Sequence, residues 1–177
     1  MFYTGTGDDG VTKIFGCDQR KISKSSEIPE ALGATDELNA FIGFVKVKSG
    51  GEPRITGSLR EIQENLFIIQ AEIAGADKRI DKKEIESIEN LINGIEKEIP
   101  PMKGFSISGG TELSALLDVA RTLARRAERC IIAATDKNMC KLSKETLAYM
   151  NRLSSLLFAL ARLANHLAGA AEENPKY

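Results

Sequence analysis

Apolar residues recur at spacings of three and four through most of the chain, and this periodicity predicts five helices. Leu38, Phe41, Ile42 and Val45 make the stripe of a first helix, expected from about Gly33–Thr35 to Lys48. Thr35 is its candidate N-cap, with Asp36 and Glu37 favourable in the first turn. Ser49-Gly-Gly-Glu-Pro53 breaks the pattern. A second helix is expected from about Thr56 to Ala74, with Leu59, Ile62, Leu66, Ile69 and Ile73 inward and Gly75 as its stop. Asp81-Lys-Lys-Glu84 reads as a capping box opening a third helix to about Ile99, closed by Pro100-Pro101. A fourth runs from about Glu112 to Ala134 on Ala120, Ala124, Ala127, Ile131 and Ala134, capped by Thr111 or Ser114. A fifth runs from about Lys144 to Ala170, with Leu147, Met150, Leu153, Leu157, Ala161, Ala164 and Ala168 on its core face. The first thirty residues read as non-helical, and the tail Glu172–Tyr177 as polar and frayed. No strand alternation, repeat or second domain is expected. The fold class is all-α: a five-helix, ferritin-like up-down bundle with an irregular N-terminal segment. The segments are 1–28, 29–170 and the tail 171–177.

The polar side of the fourth helix changes the picture. At about 100° per residue, Arg121, Arg125, Glu128 and Arg129 gather on one face beside the apolar one. This stripe has two readings. It is a solvated surface, or its guanidinium groups clamp an anion such as a polyphosphate. The N-terminal Thr4-Gly-Thr-Gly-Asp-Asp-Gly-Val-Thr12 also has two readings, a flexible tail or a phosphate cradle built from backbone N–H groups and hydroxyls. It lacks the Gly-Lys-Ser/Thr ending of a Walker loop. Arg20, Lys21 and Lys24 follow it.

Composition narrows the classes. The chain has 177 residues, a length suited to one domain, and a formal net charge of -1, which argues against bulk binding to nucleic acid or membrane. No apolar run approaches the roughly 20 residues of a membrane span, and the N-terminus shows no signal-peptide pattern. Three cysteines, Cys17, Cys130 and Cys140, do not pair at metal-ligand spacing, so a cytoplasmic location is expected. The single histidine, His166, disfavours His-based metal or triad chemistry and reads as a surface or interface residue.

Taken in order, Thr4–Thr12, Lys24, Ala31-Leu-Gly-Ala-Thr-Asp-Glu-Leu-Asn39, Phe105-Ser-Ile-Ser-Gly-Gly-Thr111, Arg121–Arg129 and Tyr149-Met-Asn-Arg-Leu-Ser154 resemble the PduO-type ATP:cob(I)alamin adenosyltransferases. The resemblance runs from residue 3 to about 165. It implies a homotrimer with a site at each subunit interface, where cobalt of cob(I)alamin attacks C5′ of ATP and triphosphate leaves. It implies that Thr4, Gly5, Thr6 and Gly7 wrap the triphosphate, with Thr12 and Lys13 close by and Lys24 adding charge. It implies that Arg125, Arg126, Glu128, Arg129 and Asn151 bind the nucleotide and that Asp36 and Arg121 pair across subunits. Phe105, by itself an ordinary core aromatic, becomes the wedge under the corrin ring. Mg²⁺ accompanies ATP, no protein metal site is expected, and a cob(II)alamin reductant and an adenosylcobalamin-dependent client enzyme are implied partners. Asp36 also has a local reading as a first-turn helix acid. Ser108 stands where the family has proline, Ser25 and Ser26 follow Lys24 where an acid is usual, and Ser155 replaces a frequent aspartate. The alternative function is a module that holds ATP or adenosylcobalamin without turnover. A third is a structural bundle with an incidental basic face.

Overall fold

The computed structural model describes residues 2–15, 21–102, 104–137 and 139–177. Arg20 and Cys17 lie outside the described residues. Two short strands, β1 (Val11–Lys13) and β2 (Lys21–Ser23), precede five helices: α1 (Glu27–Lys48), α2 (Pro53–Ile73), α3 (Lys82–Glu98), α4 (Glu112–Asp136) and α5 (Lys144–Leu167). The all-α bundle expected from the periodicity is therefore present. α1 packs against α2 and α4, α4 against α5, and α5 against α3.

The antiparallel β1–β2 pair corrects the expectation of no strand, with Thr12 opposite Ile22. At three residues per strand it is too short to show alternation. Its one inward anchor, Ile22, packs on the core beside buried Ile14. α1 starts eight residues before Thr35. Ser26 takes the extended N-cap conformation (φ -83°, ψ 167°), with Glu27 and Glu30 in the first turn. Pro29 is tolerated because a first-turn N–H has no intrahelical acceptor. Thr35 is thus not a cap: it is fully buried and its hydroxyl donates to the Ala31 carbonyl at 2.7 Å. Likewise α2 starts at Pro53 rather than Thr56, because proline suits the first helical position. The capping box of α3 and the Thr111 cap of α4, whose hydroxyl accepts from Ser114 N, form as expected. α5 ends at Leu167 rather than Ala170, with Gly169 at φ 65°, and Ala168 is exposed rather than in the core.

Polar ties cross the bundle. Buried Glu72 of α2 accepts from Ser143 N (2.7 Å), Ser143 Oγ (3.2 Å) and Thr146 Oγ1 (2.5 Å), so it caps the N-terminus of α5 with a negative charge. Asn65 of α2 donates to the buried Tyr149 hydroxyl at 3.2 Å, and burial pushes that phenol up. Arg54 grips Glu98 with two hydrogen bonds of 2.6 and 3.1 Å, joining α2 to the end of α3 and holding the Glu98 carboxyl below its usual range. Glu72→Ala removes the acceptor for three donors at once. It is expected to lower stability by about 2–3 kcal/mol, from lost bonds to a charged acceptor, in urea unfolding followed by helix signal.

Candidate active site

Small residues dominate the buried face of α4, and the consequence is on its flanks. Ala120, Ala124, Ala127 and Ala134 are fully buried there beside Leu117 and Ile131. Across the alanines, α1 and α5 reach the polar shoulders of α4. On one shoulder Arg126 forms an ion pair with Glu37 of α1. On the other, Glu128 accepts from Asn151 Nδ2 of α5 at 3.1 Å. Arg121 is held within its own helix, donating from Nε to Asp118 Oδ1 at 2.9 Å, with both side chains mostly buried. Arg125 and Arg129 differ. Among the described residues neither guanidinium has an acidic partner, both residues are exposed, and Arg129 Nη1 donates only to the Arg125 carbonyl at 3.0 Å. The helix therefore carries two tethered arginines, Arg121 on the stripe and Arg126 beside it, and two on the stripe with no acidic partner among the described residues.

Arg121 also borders an apolar cavity of about 540 Å³ with Met102, Gly104, Phe105, Ser106 and Phe158. Among the described residues Arg121 is the only charged side chain lining it. The Phe105 side chain is 80% exposed, so it is no core aromatic of this chain. The loop that carries it ends in a turn pinned by Asn165 of α5. Asn165 accepts from Thr111 N (3.0 Å) and Thr111 Oγ1 (3.1 Å) and donates to the Gly109 carbonyl (2.9 Å). Gly110 has φ 97°, and a Cβ there would lie 2.6 Å from Asn165 Oδ1. Only glycine allows this approach.

The N-terminal residues form a second group. Gly5 (φ 69°) and Gly10 (φ 77°) turn the chain into β1. Thr4 and Thr6 share a hydroxyl contact of 2.8 Å, and Lys24 Nζ donates to the Gly7 carbonyl at 2.7 Å. Lys21 sits 3.1 Å from Asp9, whose carboxyl it holds below the usual range. Thr12, Lys13 and Lys24 line one cavity of about 410 Å³ with Ile14, Phe15, Pro29, Leu32 and Ala74. No hydrogen bond or ion pair among the described residues joins this group to the α4 arginines. Asp36 is exposed on α1 and makes no ion pair within the described residues. The described residues hold no group of three potential metal-binding side chains.

The sequence of residues 2–164 matches the family described as cobalamin adenosyltransferase. The chain belongs to that family. It is similar to the corrinoid adenosyltransferase of Mycobacterium tuberculosis, 38% identical over 171 residues that cover 92% of this chain and 88% of the relative. It is also similar to the corrinoid adenosyltransferase of Bacillus subtilis, 36% identical over 177 residues that cover 96% and 89%. Among solved structures it resembles a variant PduO-type ATP:corrinoid adenosyltransferase from Lactobacillus reuteri complexed with cobalamin and ATP. That likeness has TM-score 0.93 and 31% identity, and covers 100% of both chains. A second variant of the same enzyme, complexed with ATP, aligns with TM-score 0.90 and 31% identity over 98% and 99%.

Several side chains that contact or border these groups were not singled out from the sequence as site candidates: Glu37, Met102, Asp118, Phe158 and Asn165. A signal for two of them existed. Asn151, Phe158 and Asn165 lie seven residues apart on α5, nearly two turns each, and so share one line of that helix. Gly110→Ala is expected to drive the Asn165 amide out of its three hydrogen bonds and to cost about 1–3 kcal/mol. Denaturant unfolding measures the loss, and amide exchange should show faster opening at Thr111.

Proposed function

We propose that the uncompensated arginines of α4 are the triphosphate-binding element of this enzyme. The chain is an ATP:corrinoid adenosyltransferase: it transfers the 5′-deoxyadenosyl group of ATP to the cobalt of cob(I)alamin, giving adenosylcobalamin and triphosphate. The observation that carries the site assignment is the division of the α4 arginines. Arg121 and Arg126 are held by Asp118 and Glu37, whereas Arg125 and Arg129 are exposed with no acidic partner among the described residues.

In the reaction the cobalt electron pair forms the bond to C5′, and the C5′–O bond breaks with its electrons leaving on triphosphate. The charge to be stabilised therefore develops on the leaving group, and no side-chain nucleophile or proton shuttle is needed. Arg125 and Arg129 meet that charge with donors already in place. Arg126 and Glu128, fixed by Glu37 and Asn151, shape the nucleotide side of the face. Thr4, Gly5, Thr6 and Gly7 close over the phosphates, and Thr12, Lys13 and Lys24 complete the cationic wall. Mg²⁺ enters as part of the ATP substrate, a view supported by the habit of this ion of binding phosphates.

The apolar cavity beside Arg121 takes the corrinoid, with Phe105 under the ring. A ring packed there displaces the lower cobalt ligand and excludes water, which eases reduction of cob(II)alamin to the reactive cob(I) state. The assembly is a homotrimer, in which the hairpin group of one subunit meets the α4 face of the next and Asp36 of one protomer meets Arg121 of its partner. Two features support this. No hydrogen bond or ion pair among the described residues joins the hairpin to the arginine group, and Phe44, Val47, Phe67 and Val119 leave apolar surface on α1, α2 and α4. The location is cytoplasmic; no helix among the described residues is long and apolar enough to cross a membrane. A cob(II)alamin reductant supplies the substrate and an adenosylcobalamin-dependent enzyme takes the product.

Arg125→Ala is expected to lower turnover on pre-formed cob(I)alamin about 10²–10³-fold, the usual effect of losing one preorganised charge donor. Anaerobic absorbance of the cobalt–carbon product, with triphosphate release in parallel, measures it; near-wild-type turnover removes Arg125 from the mechanism. Phe105→Ala is expected to impair adenosylation of cob(II)alamin with a reductant more than that of pre-formed cob(I)alamin. Equal losses on the two substrates contradict the wedge.

A further inference from the structure

The residues after α5 do not fray as their composition suggests; they dock on the back of the Phe105 loop. Arg162 of α5 grips Glu172 through two bonds, Nε to Oε1 at 2.6 Å and Nη2 to Oε2 at 3.1 Å. The same Nη2 donates to the Pro100 carbonyl at 2.8 Å, so this one guanidinium ties the tail to the start of the loop. The Arg162 and Glu172 side chains are only 11% and 27% exposed, so the pair is largely shielded from solvent. The next two residues reach the loop itself. Ile107 N donates to the Glu173 carbonyl at 2.8 Å, and Asn174 Nδ2 donates to the Phe105 carbonyl at 2.7 Å.

These contacts hold the backbone of Phe105 from behind while its ring stays exposed at the apolar cavity. Gly104 borders both that cavity and a second one, about 330 Å³, lined by Arg162, Glu172 and Asn174. With Asn165 pinning Gly109 and Thr111, the whole loop is therefore referenced to the end of α5 and the tail that follows it. Ser108 stands in this loop where proline would have stiffened it, so the orientation of the ring has to come from contacts outside the loop.

We propose that Glu172–Asn174 is a positioning strap for the corrinoid half of the site, latched by Arg162 and acting through the Phe105 carbonyl. The proposal rests on the reading of Phe105 as the wedge under the corrin ring. Asn174 and Glu172 touch neither substrate. They set the depth and angle at which the ring meets the corrinoid, a contact in which a small displacement is costly.

The test uses the full chain with Asn174→Ala, Asn174→Asp, Glu172→Gln, Phe105→Ala and the Phe105→Ala/Asn174→Ala double variant. KM for corrinoid, KM for ATP and turnover are measured with cob(II)alamin plus reductant and with pre-formed cob(I)alamin. The Asp variant keeps the size of the side chain but has no donor for the Phe105 carbonyl. Both Asn174 variants and Glu172→Gln are expected to lose roughly threefold to tenfold on cob(II)alamin, a hydrogen bond's worth, with the KM for ATP unchanged. In the Phe105→Ala background, Asn174→Ala is expected to add nothing. If Phe105→Ala is impaired and the Asn174 variants match wild type, the strap is overturned and the wedge stands. If the losses are additive, or the KM for ATP shifts in step with that for corrinoid, the tail is merely structural and the strap is again overturned. If Phe105→Ala itself is selectively neutral toward cob(II)alamin, the wedge reading falls and takes the strap with it.

Discussion

Close approach of α1 and α5 to the alanine face of α4 is the constraint on which the site depends. Side chains of that size leave the helix axes near enough for Glu37 and Asn151 to reach across to the shoulders of α4. A larger residue at Ala120, Ala124 or Ala127 would meet a fully buried, close-packed interface and force the helices apart. The same geometry decides which arginines are tethered and which are free. Partners exist for Arg126 because α1 passes close by, and for Arg121 because Asp118 lies one turn before it. Arg125 and Arg129 are exposed with no acidic partner among the described residues, and the proposed triphosphate site places an anion there.

The proposed corrinoid side is built on a different principle. Phe105 sits on a loop rather than on a helix, and loops orient side chains poorly unless something over-determines their backbone. Here the end of α5 supplies that control from several directions: Asn165 at the glycine turn, Arg162 at Pro100, and the tail at Phe105 and Ile107. In the proposed site the two halves of the reaction share one pair of helices. α4 carries the arginines assigned to the leaving group, and α5 carries Asn151 and holds the Phe105 loop.

Most of the bundle was legible because its apolar stripes have a single period and its caps use standard side chains, as at Asp81 with Glu84 and at Thr111. The start of α1 was obscured by Pro29, which reads as a breaker although it lies in the first turn, and by Thr35, whose hydroxyl satisfies itself inside the helix. The β1–β2 pair was too short for period two to register. The arginine stripe was visible as a face, but periodicity is blind to which of its members have partners. That depends on Glu37 and Asp118, which look like ordinary helix acids in the sequence. The docked tail was the largest miss. Its composition is that of a frayed end, and nothing local announces that Arg162, ten residues earlier, holds Glu172.

The most direct measurement of the central claim is binding of inorganic triphosphate, by calorimetry at low ionic strength, to the wild-type protein and to Arg129→Ala. Triphosphate carries the charge of the leaving group with neither adenosine nor corrinoid, so it isolates the α4 face. Salt-sensitive binding that weakens by about tenfold or more in the variant, the scale of one charge-assisted contact, is the predicted result. Equal affinity in the two proteins would contradict the account and return the stripe to an ordinary solvated surface.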